Sequence, residues 1–166
     1  IAACADSDRS APTAPSFTSS FTSVQLGTCT DLAASGQLTF HAYAAGVQIY
    51  RWSGTAWVFV APRATLYADA QGSAVVGSHY VGPTWESVSG STVVGAVAKR
   101  CTPNSNAIPW LLLDATSSAG PGVFDGVTQI QRVNTVGGIA PSTAGSIVGE
   151  IVEVPYTAEY FFYRGR

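Results

Sequence analysis

With 166 residues, a mass of 17.2 kDa and a formal charge of −2, the chain has the size of a single domain and carries no strongly signed field. Charged residues make up 11%, against roughly 25% in an average soluble protein. Lys99 is the only lysine beside seven arginines, and Lys99-Arg100 is the only adjacent basic pair, which excludes the concentrated cationic footprint of a nucleic-acid binder. Hydrophobic residues reach 46% and mean hydropathy is +0.22, yet no run approaches the roughly 18 apolar residues of a membrane span. The longest, Val58 to Leu66, is broken by Pro62 and Arg63.

The sequence starts at Ile1 and contains no methionine, so the expectation is a secreted, extracellular protein from which a signal peptide has been cleaved. Cys4, Cys29 and Cys101 fit an oxidising compartment and allow one intramolecular bridge in any of three pairings. Cys4–Cys29 is the pairing expected, because it would pin an N-terminal arm; the spare thiol then behaves as a small hydrophobe. No CxxC or Cys/His cluster suggests a metal, and no N-x-S/T sequon is present. Residues 1–36 are rich in Ser, Thr, Ala and Pro (SAPTAPSFTSSFTS) and read as an extended arm laid on the body, with Phe17 and Phe21 as anchors.

From Gln37 to the end (37–166) the pattern is one of short strands with turn signals every eight to twelve residues, the mark of an all-β barrel or sandwich. About ten strands are expected, mostly antiparallel: Gln37–Ala44, Val47–Trp52, Ala56–Val60, Ala64–Asp69, Ala74–Tyr80, Thr92–Lys99, Trp110–Thr116, Val127–Asn134, Ile147–Val154 and Tyr156–Tyr163. Ser53-Gly54, Gln71-Gly72 and Ser89-Gly90 supply hairpin turns in which glycine takes a positive φ. No segment sustains a 3.6-residue apolar period with caps, so little helix is expected. Ala56 to Val60 and Trp110 to Leu113 are apolar on both faces, and such strands need cover on both sides. Val127 to Asn134 instead carries Gln129, Gln131, Arg132 and Asn134, polar groups that must be satisfied by neighbours or line a pocket.

The stretch from Val75 to Gly95 gathers His79, Tyr80, Trp85 and Glu86 around the turn pair Gly82-Pro83, and is the best candidate for a site. Taken together, YRWSGTAWVFVAPRATLYAD (50–69), VVGSHYVGPTWESVSGSTVVG (75–95), AIPWLLL (107–113), VFDGVTQIQRVNTVGGIAP (123–141) and VPYTAEYFFYR (154–164) resemble a family of small secreted proteins of fungi and bacteria catalogued only as a domain of unknown function. The resemblance spans about residues 37 to 164 and implies export and a mostly β fold, with no reaction, cofactor or catalytic residue to carry over. Many relatives have a cysteine shortly after the Gly-Gly-x-Ala-Pro segment, where this chain has Ser142-Thr143-Ala144-Gly145-Ser146.

His79 and Glu86, seven residues apart across the corner, are candidates for an acid/base pair; the blander assignment, a core histidine and a turn-capping carboxylate, outweighs it. A metal site from His41 and His79 would need Asp125 or Glu86 as a further ligand and lacks any ligand spacing. No G-x-S-x-G elbow, G-x-G-x-x-G or P-loop is present. Among the tryptophans, Trp57 and Trp110 read as core and Trp85 as exposed or pocket-lining. The expected protein is therefore a non-catalytic secreted module, without cofactor or metal. It binds a neutral glycan or small apolar ligand through His79, Tyr80, Trp85, Glu86, Gln129, Gln131, Arg132 and Asn134. The alternatives are an enzyme using His79 and Glu86, and a self-assembling surface protein whose low charge favours association.

Overall fold

A computed structural model describes residues 24–165. After a short 3₁₀ turn, Thr30–Leu32, the chain forms eight strands: β1 Gln37–Trp52, β2 Trp57–Tyr67, β3 Val75–Tyr80, β4 Thr84–Ser87, β5 Thr92–Cys101, β6 Trp110–Ala119, β7 Val127–Gly137 and β8 Ile151–Arg164. Each pairs antiparallel with the next, and β8 returns to β1, so one sheet closes on itself as a barrel. Closure removes the strand edges that an open sheet would leave unpaired.

Three pairs of expected strands are single long ones: Gln37–Ala44 with Val47–Trp52 in β1, Ala56–Val60 with Ala64–Asp69 in β2, and Ile147–Val154 with Tyr156–Tyr163 in β8. Gly46 does not interrupt β1: it faces Ala64 in register, and a Cβ there would meet Arg63 O at 2.1 Å. Its role is close backbone approach rather than turning. Pro62 lies inside β2 where that strand has only β1 beside it, β3 pairing no higher than Ala64. A residue with no N–H is tolerated on such a one-sided stretch. Conversely, the short β4 after Gly82-Pro83 is a separate strand that the spacing did not resolve. Gly82 has φ +125, a value that suits glycine at a tight corner.

Alternation decides which side chains fill the barrel. Ala42 and Ala44 of β1, Leu66 of β2, Trp85 of β4, Val93 of β5, Leu113 of β6, Ile130 of β7 and Tyr160 and Phe162 of β8 form the inner core. The lower end, where β1 begins, is plugged by Phe124 from the β6–β7 loop, which packs at 4.6 Å from Phe162 and 5.6 Å from Phe40 between ring centroids. The upper end is different. Above Pro62, β2 pairs only with β1; from Ala96 onward, β5 pairs only with β6. Because β3 and β4 are just six and four residues long, a notch is left in the wall between upper β2 and upper β5. The β3–β4 turn forms its sill.

A second, smaller cluster lies outside the wall: Cys29, Leu32 and Leu112, with Leu26, Ala34, Cys101 and Trp110 against them. It explains the two-sided apolar strand at 110–113, since Leu111 and Leu113 face the barrel while Leu112 is covered by the segment before β1. The other two-sided strand does not follow suit. Val58, Phe59 and Val60 remain about half exposed, at 48%, 50% and 47%, beside the notch.

The bridge joins Cys29 to Cys101, with Cα atoms 5.7 Å apart, and not Cys29 to Cys4. The Cys29 sulfur is committed to β5, to which the 3₁₀ turn is packed, so it has no valence for the arm. Cys4, Phe17, Phe21 and the rest of residues 1–23 lie outside the described residues, and so does the expected packing of the arm. Among the described residues no helix is long and apolar enough to cross a membrane.

Candidate functional site

Behind the notch lies a cavity of about 560 Å³, within the range of small-molecule sites. Phe59, Val60 and Pro62 of β2, Val81, Gly82 and Pro83 of the turn, and Val97 and Arg100 of β5 line its mouth. Gln48 and Tyr50 of β1, His79, Trp85, Leu111, Leu113, Arg132 and Tyr160 line the interior, and Ile108 and Pro109 close it from the β5–β6 loop.

His79 is 2% exposed, and its ring stacks on Trp85 at 4.3 Å and 10°. Its Nδ1 lies 2.8 Å from Thr84 O, a carbonyl that can only accept, which assigns the proton to Nδ1 and leaves Nε2 a bare acceptor. Burial pushes the imidazole pKa down to about 3, and the charge of Arg132 pushes the same way; the Thr84 hydrogen bond opposes both. His79 is thus neutral across the physiological range.

Arg132 donates through Nε and Nη2 to the single carbonyl of Pro109, at 3.1 and 2.8 Å. Its charge is felt by Tyr50, Tyr156 and Tyr160, whose phenols are nonetheless driven up, chiefly by burial. Tyr50 OH donates to Gly138 O at 2.6 Å, fastening the loop after β7 over the upper end. Trp85 Nε1 and Gln48 Nε2 are buried without a hydrogen-bond partner.

The sequence-derived set divides across the wall. His79, Trp85 and Arg132 share the cavity. Trp85 is 1% exposed, so the open platform expected of it is corrected: its pairing opposite His79 in β3 turns it inward. Tyr80 and Glu86 have the opposite parity and meet outside, Tyr80 OH donating to Glu86 Oε2 at 2.9 Å, a bond that raises the phenol's pKa. His79 and Glu86 are therefore not brought together.

Gln129 and Gln131 also face out, and hold the segment before β1. Gln129 Oε1 accepts from Ser35 N at 2.7 Å while its Nε2 donates to Asp114; Gln131 Nε2 donates to Leu32 O. Asn134, at φ +50, donates to Glu159 Oε1 at 3.0 Å. With Glu159, Tyr43, Tyr67 and Asp69 it borders a separate, more polar groove of about 480 Å³. His41 contacts Glu159 at 2.9 Å on that outer side, so the two histidines point away from each other. No group of three potential metal ligands converges among the described residues.

Sequence reasoning missed Gln48, Tyr50, Phe59, Arg100 and Tyr160. The signal for Gln48 was available: with Ala44, Gly46 and Tyr50 it occupies one parity of β1, and a long amide on an otherwise inward, apolar face is out of place unless it meets a cavity.

Fold and site together define a small closed β-barrel whose one sealed end and one notched wall create an internal apolar chamber. The chain belongs to the family described as protein of unknown function DUF3455, whose model matches residues 33–164. No curated protein and no solved structure matches it.

Proposed function

We propose that the protein is an extracellular binding module that holds a small, largely apolar ligand inside the barrel. The observation that carries this reading is the cavity behind the β3–β4 turn. It is lined mostly by apolar and aromatic side chains and opens between Phe59, Val60 and Pro62 on one side and Val97 and Arg100 on the other. A packed core has no need of a chamber this size, because side chains in interiors interdigitate to near-crystal density. The Cys29–Cys101 bridge fits an oxidising compartment and supports placement outside the cell. The neutral-glycan version has less support, since Trp85 offers no open face for stacking.

Titration with the neutral fluorophore N-phenyl-1-naphthylamine tests the reading. A saturable one-to-one enhancement is expected, lost in Val97→Trp, which fills the mouth at a position that is 42% exposed and tolerant of bulk. Absence of saturable binding, or binding indifferent to that substitution, would refute it.

Self-association is the second reading, favoured by Val58, Phe59 and Val60 on the one-sided stretch of β2. Exposed apolar residues on an unpaired strand edge invite pairing with another chain. Sedimentation as a monomer at millimolar concentration removes it.

A further inference from the structure

The polar atoms of the cavity narrow the ligand class. Two arginines, Arg132 inside and Arg100 at the rim, are among the lining residues, and no aspartate or glutamate is. Among the described residues the ion pairs are His41–Glu159 and Arg63–Glu153, neither of which involves the cavity. Arg132 spends two of its five donors on one neutral carbonyl. That leaves a partly buried positive charge with no counter-charge, an arrangement that costs free energy unless something pairs with it.

Two of the buried side-chain atoms without partners lie on residues of this cavity and point the same way. Trp85 Nε1 and Gln48 Nε2 are both N–H donors, and buried polar groups ordinarily find partners. Beside the bare acceptor at His79 Nε2, the chamber's donors and the Arg132 charge call for an acceptor that is negative. The rest of its wall, Ile108, Leu111, Leu113, Phe59, Val60 and Val97, asks for hydrocarbon.

Resting on the reading that this chamber takes a small ligand, we propose that the ligand is an amphipathic monocarboxylate, its carboxylate set against Arg132 and its apolar body running toward the notch. A guanidinium matches a carboxylate with charge-assisted hydrogen bonds. One interior cation suits one negative charge; a phosphate dianion would leave a second charge uncompensated in an apolar chamber. Size agrees: at roughly 30 Å³ per water-sized group, 560 Å³ holds on the order of 18 non-hydrogen atoms, enough for a ten-carbon acid. A neutral alcohol, which would donate to the bare Nε2 of His79, is the competing class.

The test compares decanoate with 1-decanol by calorimetry at pH 7.5. Decanoate is expected to bind at least tenfold more tightly, with the margin shrinking at high salt. Arg132→Gln should erase the margin, lowering the acid-to-alcohol affinity ratio to about one. Equal affinity for the two, or a preference for the alcohol, overturns the carboxylate assignment and leaves the chamber reading standing. Failure of both to bind, with N-phenyl-1-naphthylamine also failing, overturns the chamber reading itself. Failure of both while that neutral probe binds overturns only the assignment. Should Arg132→Gln not fold, Arg100→Gln at the exposed rim and the wild-type acid-to-alcohol ratio decide.

Discussion

Lowering the pH should destabilise this barrel through His79. The folded-state pKa near 3 stands well below the ordinary 6.5. Between those values the unfolded chain binds a proton that the folded chain refuses. The stabilisation is therefore complete above pH 6.5 and is lost as pH falls toward 3. At pH 4.5 the loss is roughly 3 kcal/mol, since each unit below 6.5 costs about 1.36 kcal/mol. The cause is chiefly desolvation: the ring is buried between Trp85 at 4.3 Å and Tyr160 at 5.2 Å, with Arg132 adding a like charge once the imidazole is protonated and the Thr84 hydrogen bond opposing both. Urea unfolding at pH 7.5 and 4.5 reads the effect, with His79→Gln as reference, since glutamine offers a donor for Thr84 O but does not titrate. Every other group is common to both proteins and cancels in the comparison. Wild type should lose roughly 3 kcal/mol more than the variant between the two pH values. Equal losses would mean that His79 titrates normally and that its buried placement is wrong.

Other consequences are as direct. Trp85→Ala removes a fully buried indole and should cost about 3–5 kcal/mol, read as a fall in Tm; a variant that melts with wild type would place the ring outside the core. Replacing Cys29 and Cys101 by serine frees a span of 72 residues and should lower stability by about 2–4 kcal/mol, seen as a lower urea midpoint; an unchanged midpoint would mean that the bridge closes no loop of consequence. Gly46→Ala should destabilise without touching the cavity, because a Cβ would overlap Arg63 O at 2.1 Å; normal stability in that variant would contradict the β1–β2 register.

The fold class was legible because strand and turn chemistry is local. Short strand-like runs with turn signals every eight to twelve residues, glycines at the hairpins and the absence of any helical period were enough to indicate an all-β domain. What could not be read was which strands continue through Gly46 and Pro62, since both residues are tolerated for reasons supplied by a neighbouring strand: close approach in one case, a missing neighbour in the other. The site was half legible for a related reason. His79, Tyr80, Trp85 and Glu86 are adjacent in sequence, but adjacency in a strand means opposite faces, and β4 pairs Trp85 with His79 and Glu86 with Ser78. On β7 the same parity sends Arg132 into the cavity and Gln131 out to Leu32 O. The disulfide was misassigned because a pairing depends on where the chain returns, and the approach of Cys29 to the end of β5 is a long-range event with no local signature.

Methyl-resolved NMR during titration with N-phenyl-1-naphthylamine tests the central claim most directly. Shifts confined to the methyls of Val60, Val81, Val97, Ile108, Leu111 and Leu113, saturating at one equivalent, are the predicted result. Shifts at Ile147 and Val148, which are 71% and 74% exposed and distant in sequence from the chamber-lining residues, with Leu111 and Leu113 unmoved, would contradict it.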